Sequence, residues 1–352
     1  MPTAISLFSG CGGDTLGLQQ AGFNVIAFNE FNKAAIQTHE ANFPDSVLLH
    51  HNGTTDITKL PDSVFQHYVG ADLIFAGFPC QGFSRAGKKN AADPRNQMYQ
   101  QFVRATRIIR PKFVIGENVT GLATMASGPG EHDPSMLDVV MAAFRAIDYN
   151  MDYRVFETVQ FGVPQKRKRI IMIGWNTRTV SPFDGTSMWA AVSAEGRQQT
   201  MPRLRSFVTA SMEGAHQLPT VPEDFGMYAL PITQDTVPDG QPHPFVVLKA
   251  GANLLSCSKR ISPIHSEIID LNAPSKTIIC TYDHQPRLLV GLVKPDGTAY
   301  ARTLLPDELK QIQGFPANFE LRGSKKEKVT QVGNAVPPPL IRAVALGIRP
   351  YM

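Results

Sequence analysis

The amino-acid sequence predicts an α/β protein built on a parallel sheet, followed by a second, irregular part. Two observations carry this. Short apolar runs recur between Ala4 and Ile173, ending in glycine or polar residues and separated by helix-like stretches. The texture changes after Trp175: from Ser181 to Val290 prolines and turn residues dominate, with little helical periodicity.

Ala4-Ile5-Ser6-Leu7-Phe8 reads as a first strand and Ser9-Gly10-Cys11-Gly12-Gly13 as a tight turn into a helix near Thr15. Glycine lets the backbone turn sharply and lets a ligand lie against it. The spacing is not the dinucleotide fingerprint, because Thr15 stands where its third glycine would be. A second run, Asn24–Phe28, ends in Asn29-Glu30. A carboxylate at that strand tip, 18 residues beyond Gly12, is placed to accept hydrogen bonds from ribose hydroxyls. Asp56-Ile57 would touch an adenine amine and ring, with a helix N-cap as the other reading of Asp56. Together these residues point to an adenosine-containing cofactor.

Leu73–Ala76 reads as a buried strand ending in Gly77-Phe78-Pro79-Cys80. A cysteine there sits where open α/β sheets place their ligands, so Cys80 is a candidate nucleophile. A small buried hydrophobe is the alternative. The polar stretch from Arg85 to Arg95 would be a loop that contacts phosphate or solvent. Gln97–Ile109 reads as an amphipathic helix closed by Pro111. Strand Phe113–Ile115 delivers Glu117-Asn118 to the same edge as Cys80, and a helix follows near Ser135–Ile147. In Gln165-Lys166-Arg167-Lys168-Arg169, strand alternation would put Gln165, Arg167 and Arg169 on one face. A nuclear-localisation patch is the competing reading of this basic cluster. Val246–Leu248 and Thr277–Ile279 read as strands, Pro306–Gln313 and Pro338–Leu346 as helices.

Composition narrows the class. Four cysteines lie far apart with no CxxC, which argues against a disulfide framework or structural zinc and fits a reducing compartment. No apolar run approaches the roughly 20 residues of a membrane span, and no signal-peptide pattern opens the chain. A cytoplasmic protein without membrane partners is expected. The net charge of +4 permits nucleic acid binding without requiring it. Residues 181–290 carry 8 Lys+Arg against 10 Asp+Glu, so contact there would depend on local placement rather than bulk charge.

With these pieces in order, the chain resembles the cytosine-5 DNA methyltransferase family. The motifs are Phe8-Ser9-Gly10-Cys11-Gly12-Gly13, Asn29-Glu30-Phe31, Asp56-Ile57, Gly77-Phe78-Pro79-Cys80-Gln81, Glu117-Asn118-Val119, Gln165-x-Arg167-x-Arg169, Arg302-x-Leu304-x-Pro306-x-Glu308 and Gly333-Asn334-Ala335-Val336. They run from residue 5 to about 346 and leave only the middle unmatched. Two stretches depart from the family pattern: Arg95-Asn96-Gln97-Met98 replaces Arg-Gly-x-Leu, and Leu305-Pro306-Asp307-Glu308 replaces Thr-Pro-Arg-Glu.

The resemblance implies a doubly wound, Rossmann-like domain from residues 1–178 and 328–352, dependent on S-adenosylmethionine, with a small target-recognition domain, 179–327, inserted. It implies methyl transfer, leaving S-adenosylhomocysteine, to C5 of a flipped-out cytosine in a specific double-stranded DNA sequence. Cys80 would add to C6, and Glu117 would hydrogen-bond N3 and the exocyclic amine. Arg169, with Arg167 nearby, would hold the O2 edge, a phosphate or Glu117. The cofactor would lie along Phe8, Ser9, Gly10, Cys11, Gly12 and Gly13, with Glu30 on the ribose. Phe31 and Ile57 would flank the adenine and Asp56 take its amine, with Pro79, Met98, Asn334 and Val336 completing the site. On the DNA side the candidates are Phe78, Pro79, Gln81, Ser84, Arg85, Asn118, Gln165 and Thr277. No metal is implied. A monomer is expected, resembling the compact enzymes of restriction–modification systems, phages or viruses, with any cognate endonuclease acting separately; a eukaryotic or viral source would leave a nuclear location open. Two alternatives share these motifs: methylation of a tRNA cytosine, and a catalytically silent DNA-binding member. The intact Cys80, Glu117 and Arg169 weigh against the second.

Overall fold

Near-continuous apolar runs along short strands send apolar side chains to both sides and build a sheet covered on both faces. The computed structural model describes residues 1–79, 97–127, 133–218, 221, 223, 225–233, 245–247, 255–257, 267–283 and 286–352. Its strands are β1 (Thr3–Leu7), β2 (Asn24–Asn29), β3 (Val47–Leu48), β4 (Leu73–Ala76), β5 (Phe113–Asn118), β6 (Tyr149–Glu157), the short β7 (Gln165–Lys166) and β8 (Lys168–Asn176). Among the described residues the main sheet runs β3-β2-β1-β4-β5-β8-β6. It is parallel from β3 to β5, with β8 antiparallel to β5 and to β6. The order reverses between β1 and β4, so the crevice beyond their carboxyl ends is where such sheets bind ligands.

Helices α1 (Gly13–Gln20), α2 (Lys33–Asn42), α3 (Asp62–Gln66), α4 (Tyr99–Ile109), α5 (Met136–Arg145) and α6 (Gly185–Arg197) accompany these strands. Ile5, Leu7, Ile74, Val114 and Met172 pack against Phe102 and Ile109 of α4 and Val140 and Phe144 of α5. Their strand neighbours Ala4, Leu73, Phe75, Ile115 and Ile173 point to the other face. That face buries Leu18 of α1, Trp189 of α6, and Leu340 and Val344 of the last helix. This is the doubly wound arrangement the sequence predicts.

The chain ends in α7 (Phe225–Tyr228), α8 (Pro306–Ile312), α9 (Lys325–Asn334) and α10 (Pro338–Ile348). Helix α10 lies on α1 so closely that a Cβ on Gly17 would stand 2.6 Å from the Pro338 carbonyl oxygen. On its other side it meets α6, where a Cβ on Gly347 would stand 2.5 Å from Val192 Cγ2. Helix α6 begins after residue 179, in the stretch expected to open the small domain. Its Met188-Trp189-Val192 face is apolar and buries against the main sheet instead, and Trp189 Nε1 donates to Asp152 Oδ2 at 2.8 Å.

The second part centres on β15 (Leu288–Val293) and β16 (Ala299–Thr303), which are antiparallel. β10 (Ala229–Pro231) and β13 (Glu267–Ile268) pair with β15, and β9 (His216–Gln217) with β16. A ladder joins β11 (Phe245–Val247) to β12 (Leu255–Cys257). β14 (Ser275–Lys276) leaves this part altogether and pairs in parallel with β7. The expected strand at Thr277–Ile279 is therefore displaced to Ser275–Lys276. Side chains, rather than a ladder, bind Ile278 on both its backbone polar groups. The two parts share one core: Leu230, Ile269 and Leu292 belong to the same cluster as Cys11 and Phe43.

Candidate active site

The turn after β1 is shaped by close approach more than by ligand space. Phe8 takes φ 56°, a region that L side chains rarely enter. A Cβ on Gly12 would meet Phe43 Cε2 at 2.4 Å, and one on Gly13 would meet the Val336 oxygen at 2.3 Å. Gly12 thus lets the turn close on α2 and its cap residue Phe43, and Gly13 lets α1 close on buried Val336 of the C-terminal segment. Gly10 differs: φ is 56° and nothing lies within 4 Å of its absent Cβ. Only there does the turn leave open space for a ligand against the backbone. Cys11 is fully buried, and burial and the nearby Asp14 push its thiol up to about 12. A thiol so hard to ionise is inert as a nucleophile, so Cys11 offers a ligand only its backbone.

Glu30, at the tip of β2, organises the same crevice. Its Oε2 accepts from Gly10 N at 2.8 Å, and its Oε1 accepts from Phe31 N at 2.9 Å and Asn32 N at 2.8 Å. Each carboxylate oxygen has two lone pairs, so Oε2 keeps acceptor capacity for a hydroxyl. The Phe31 ring beside it is 76% exposed, an unusual state for a large apolar side chain and one suited to stacking on a base. Asp56 caps the turn Ile57–Lys59 by accepting from Thr58 N at 3.1 Å and Thr58 Oγ1 at 2.7 Å. Ile57 is buried, and Arg104 of α4 holds its turn by donating to the Ile57 and Leu60 oxygens. Of the other residues expected at the cofactor, Asn334 is exposed, Pro79 half-buried and Met98 partly buried against the core. An open glycine, a free acceptor at the ribose position and an exposed ring together fit S-adenosylmethionine.

The catalytic candidates converge at neighbouring strand tips. Arg169 Nε meets Glu117 Oε1 at 2.7 Å, with both side chains 13% exposed. A Cβ on Gly77 would lie 3.8 Å from Glu117 Oε2 and 3.9 Å from the Phe8 oxygen, so the ends of β1, β4 and β5 meet at one point. Asn118 joins β5 to β4 by donating to the Phe78 oxygen at 3.1 Å. The Phe78 ring, expected on the substrate side, packs in the core instead. Cys80, Gln81, Ser84 and Arg85 lie outside the described residues.

Alternation in the basic run is as expected, with Lys166 and Lys168 exposed and Gln165 and Arg167 buried. The two buried side chains nonetheless part company with Arg169. Arg167 is spent on backbone carbonyls of Ile278, Gly333 and Ala335, and Gln165 on Ile278 N and Gln313. The reason is depth: β7 runs along the seam between the parts, while only Arg169 reaches Glu117. Thr277 is exposed beside them and donates to the Lys166 oxygen at 2.8 Å.

Sequence reasoning missed a buried polar chain beneath the turn. Ser6 Oγ donates to Asp14 Oδ2, Ser9 Oγ lies 3.5 Å from both Asp14 Oδ1 and Thr15 Oγ1, and Thr15 Oγ1 lies 2.9 Å from His39 Nε2. Burial pushes the His39 imidazole down to about 3, so it is neutral, and its ring stacks on Phe28. Burial pushes the Asp14 carboxyl up from 3.8 to about 7, against the pull of the Ser6 and Ser9 hydroxyls. The folded protein thus keeps a proton that the unfolded chain releases. Stability should fall as pH rises from 3.8 to about 7, at about 1.4 kcal/mol per unit. Asp14→Asn is expected to remove that slope and to melt above the parent at pH 8. Thermal melts across this range check it, and parallel profiles for the two proteins would count against it.

A doubly wound sheet with an open turn after β1 and an acid at the tip of β2 defines an adenosine-cofactor α/β enzyme. The family of C-5 cytosine-specific DNA methylases matches residues 3–349, and the chain belongs to it. The family transfers methyl from S-adenosylmethionine to C5 of cytosine in DNA. The chain is 29% identical to type II methyltransferase M1.HphI of Haemophilus parahaemolyticus, over 97% of this chain and 85% of that protein. It is 28% identical to type II methyltransferase M.NgoFVII of Neisseria gonorrhoeae, over 99% and 87% respectively. The crystal structure of S. pombe Dnmt2 methyltransferase shares the fold, with TM-score 0.66, 16% identity and 99% of each chain covered.

Proposed function

We propose that this chain methylates cytosine C5 within a specific double-stranded DNA sequence, as a monomer, through a covalent bond from Cys80 to C6 of a flipped-out base. The observation that carries the reading is the Glu117–Arg169 ion pair at the converging tips of β1, β4 and β5. Cytosine C5 is a poor nucleophile. Addition of the Cys80 thiolate to C6 pushes an electron pair toward C5 and charge onto the ring and N3. The Glu117 carboxyl donates a proton to N3 as that charge develops and accepts from the exocyclic amine, with Arg169 fixing the group in place. Once C5 carries the methyl group as well as its hydrogen, a base takes that proton, and the returning electron pair expels Cys80 as thiolate. S-adenosylmethionine supplies the electrophilic methyl group. Gly10 and Glu30 hold its ribose side, and Phe31 and Asn334 border it. Asp56 and Ile57 shape the adenine end through their turn, and Arg167 and Gln165 take no chemical part.

The catalytic domain comprises residues 1–197 and the C-terminal segment from about 328, because α6 packs with α10. The segment between them reads the DNA, with Thr277 at its exposed border. The type II relatives support a cytoplasmic restriction–modification setting with a separately acting endonuclease. The test is expression in a host lacking cytosine methylation, followed by bisulfite sequencing of its DNA, beside Cys80→Ala. Methylcytosine in one short context, absent with the variant, is the expected result. Unmodified DNA from soluble protein would overturn the reading and make tRNA the next substrate to sequence.

A further inference from the structure

Three buried side chains close a hydrogen-bonded ring at the seam between the two parts. Ile278 N donates to Gln165 Oε1 at 3.0 Å, and Gln165 Nε2 donates to Gln313 Oε1. Gln313 Nε2 donates to the Ala335 oxygen at 2.5 Å, and Arg167 Nη2 donates to the same oxygen at 3.2 Å. Arg167 Nη1 then returns to the Ile278 oxygen at 3.0 Å, and Nη2 also reaches the Gly333 oxygen at 3.0 Å. Gln165 and Gln313 are 0% exposed and Arg167 2%.

The ring has little slack. Water cannot replace a lost partner at this depth, so shifting either backbone segment leaves buried polar groups unpaired. Steric contact reinforces it: a Cβ on Gly333 would stand 2.5 Å from Cys280 N. Segments 278–280 and 333–335 therefore move together or not at all. Each carries an exposed residue at its border, Thr277 on one and Asn334 on the other.

We infer that this ring couples DNA engagement to cofactor binding, with Gln165, Arg167 and Gln313 as positioning residues that touch neither ligand. The inference rests on the reading above, in which Thr277 faces DNA and Asn334 faces the cofactor. DNA that seats the 277–280 segment also seats Asn334, and by linkage the cofactor tightens DNA by the same factor.

The experiment is calorimetric binding of S-adenosylhomocysteine to the full chain, with and without saturating unmethylated genomic duplex. For the parent, DNA should tighten binding at least about fivefold. In Arg167→Lys and Gln313→Met that factor should drop below about twofold, while affinity without DNA changes far less; a merely structural role would lower both together. Undiminished coupling in both variants, or none in the parent, overturns the inference. Thr277→Ala and Asn334→Ala test the underlying reading separately: if DNA and S-adenosylhomocysteine affinities stay at parental values, the assignment of those residues fails. Should the ring variants not fold, hydrogen exchange on the parent decides. DNA alone should protect the amides of residues 333–336, and unchanged exchange there would overturn the proposal.

Discussion

Glu308→Ala is expected to cost about 3–5 kcal/mol of folding stability, the range for breaking a buried ion pair by removing one partner. Arg302 and Glu308 are 0% and 3% exposed at their side chains. Arg302 Nη1 and Nη2 bind the two Glu308 oxygens at 2.8 and 2.7 Å. The remaining guanidinium donors reach the Ser211, Thr303 and Thr209 oxygens. Glu308 in turn accepts from Thr209 N at 2.9 Å, Thr209 Oγ1 at 3.0 Å and Leu305 N at 2.8 Å. One pair thus ties β16, the start of α8 and the segment at 209–211. Removing the carboxylate leaves a desolvated guanidinium with no counter-charge. The double replacement Arg302→Met with Glu308→Leu should recover much of the loss, because an apolar pair of similar volume avoids desolvating two ions. Urea unfolding of the three variants measures this. A loss below about 1 kcal/mol for Glu308→Ala would place the pair in the class of screened surface bridges and refute the argument.

What the sequence revealed tracks how each signal arises. Strands β1, β4 and β5 were legible because both faces are buried, which forces unbroken apolar runs. Glu30 and Glu117 were legible because a carboxylate directly after such a run has no core role to explain it. Strand β6 was not, because it is an edge strand whose Asp152, Arg154 and Glu157 break the run. Alternation correctly grouped Gln165, Arg167 and Arg169, but period two identifies a shared face and not what lies opposite it. The 111-residue separation between Arg167 and Ile278 is invisible to any local pattern. Asp14 misleads for a similar reason. An acid in a first helical turn ordinarily complements the dipole from the surface, whereas here Asp14 accepts from Ser6 of the interior strand β1 and is 1% exposed. Gly12 and Gly13 were legible as constraints but not in kind, since the crowding atoms belong to Phe43 and Val336.

Glu117→Gln is expected to lower the methyl-transfer rate about 10²–10³-fold, the usual consequence of removing one preorganised group from a developing charge. The loss should fall on kcat. The carboxylate lies at a strand tip 13% exposed, where it contributes little to holding duplex or cofactor before a base enters. Arg169→Leu should lose a comparable factor for a different reason. Without the 2.7 Å contact to its Nε, the Glu117 carboxylate is free to rotate away from the ring edge it must meet. Because the two act as a unit, the double variant should be no slower than the worse single one. Single-turnover transfer of labelled methyl to saturating DNA separates these outcomes from binding. Multiplying losses in the double variant would mean that Arg169 acts on the substrate directly, at the O2 edge or a phosphate, and not through Glu117. A Glu117→Gln enzyme within about threefold of the parent would remove Glu117 from the chemistry, since a group that meets charge only in the transition state shows its full worth in that rate.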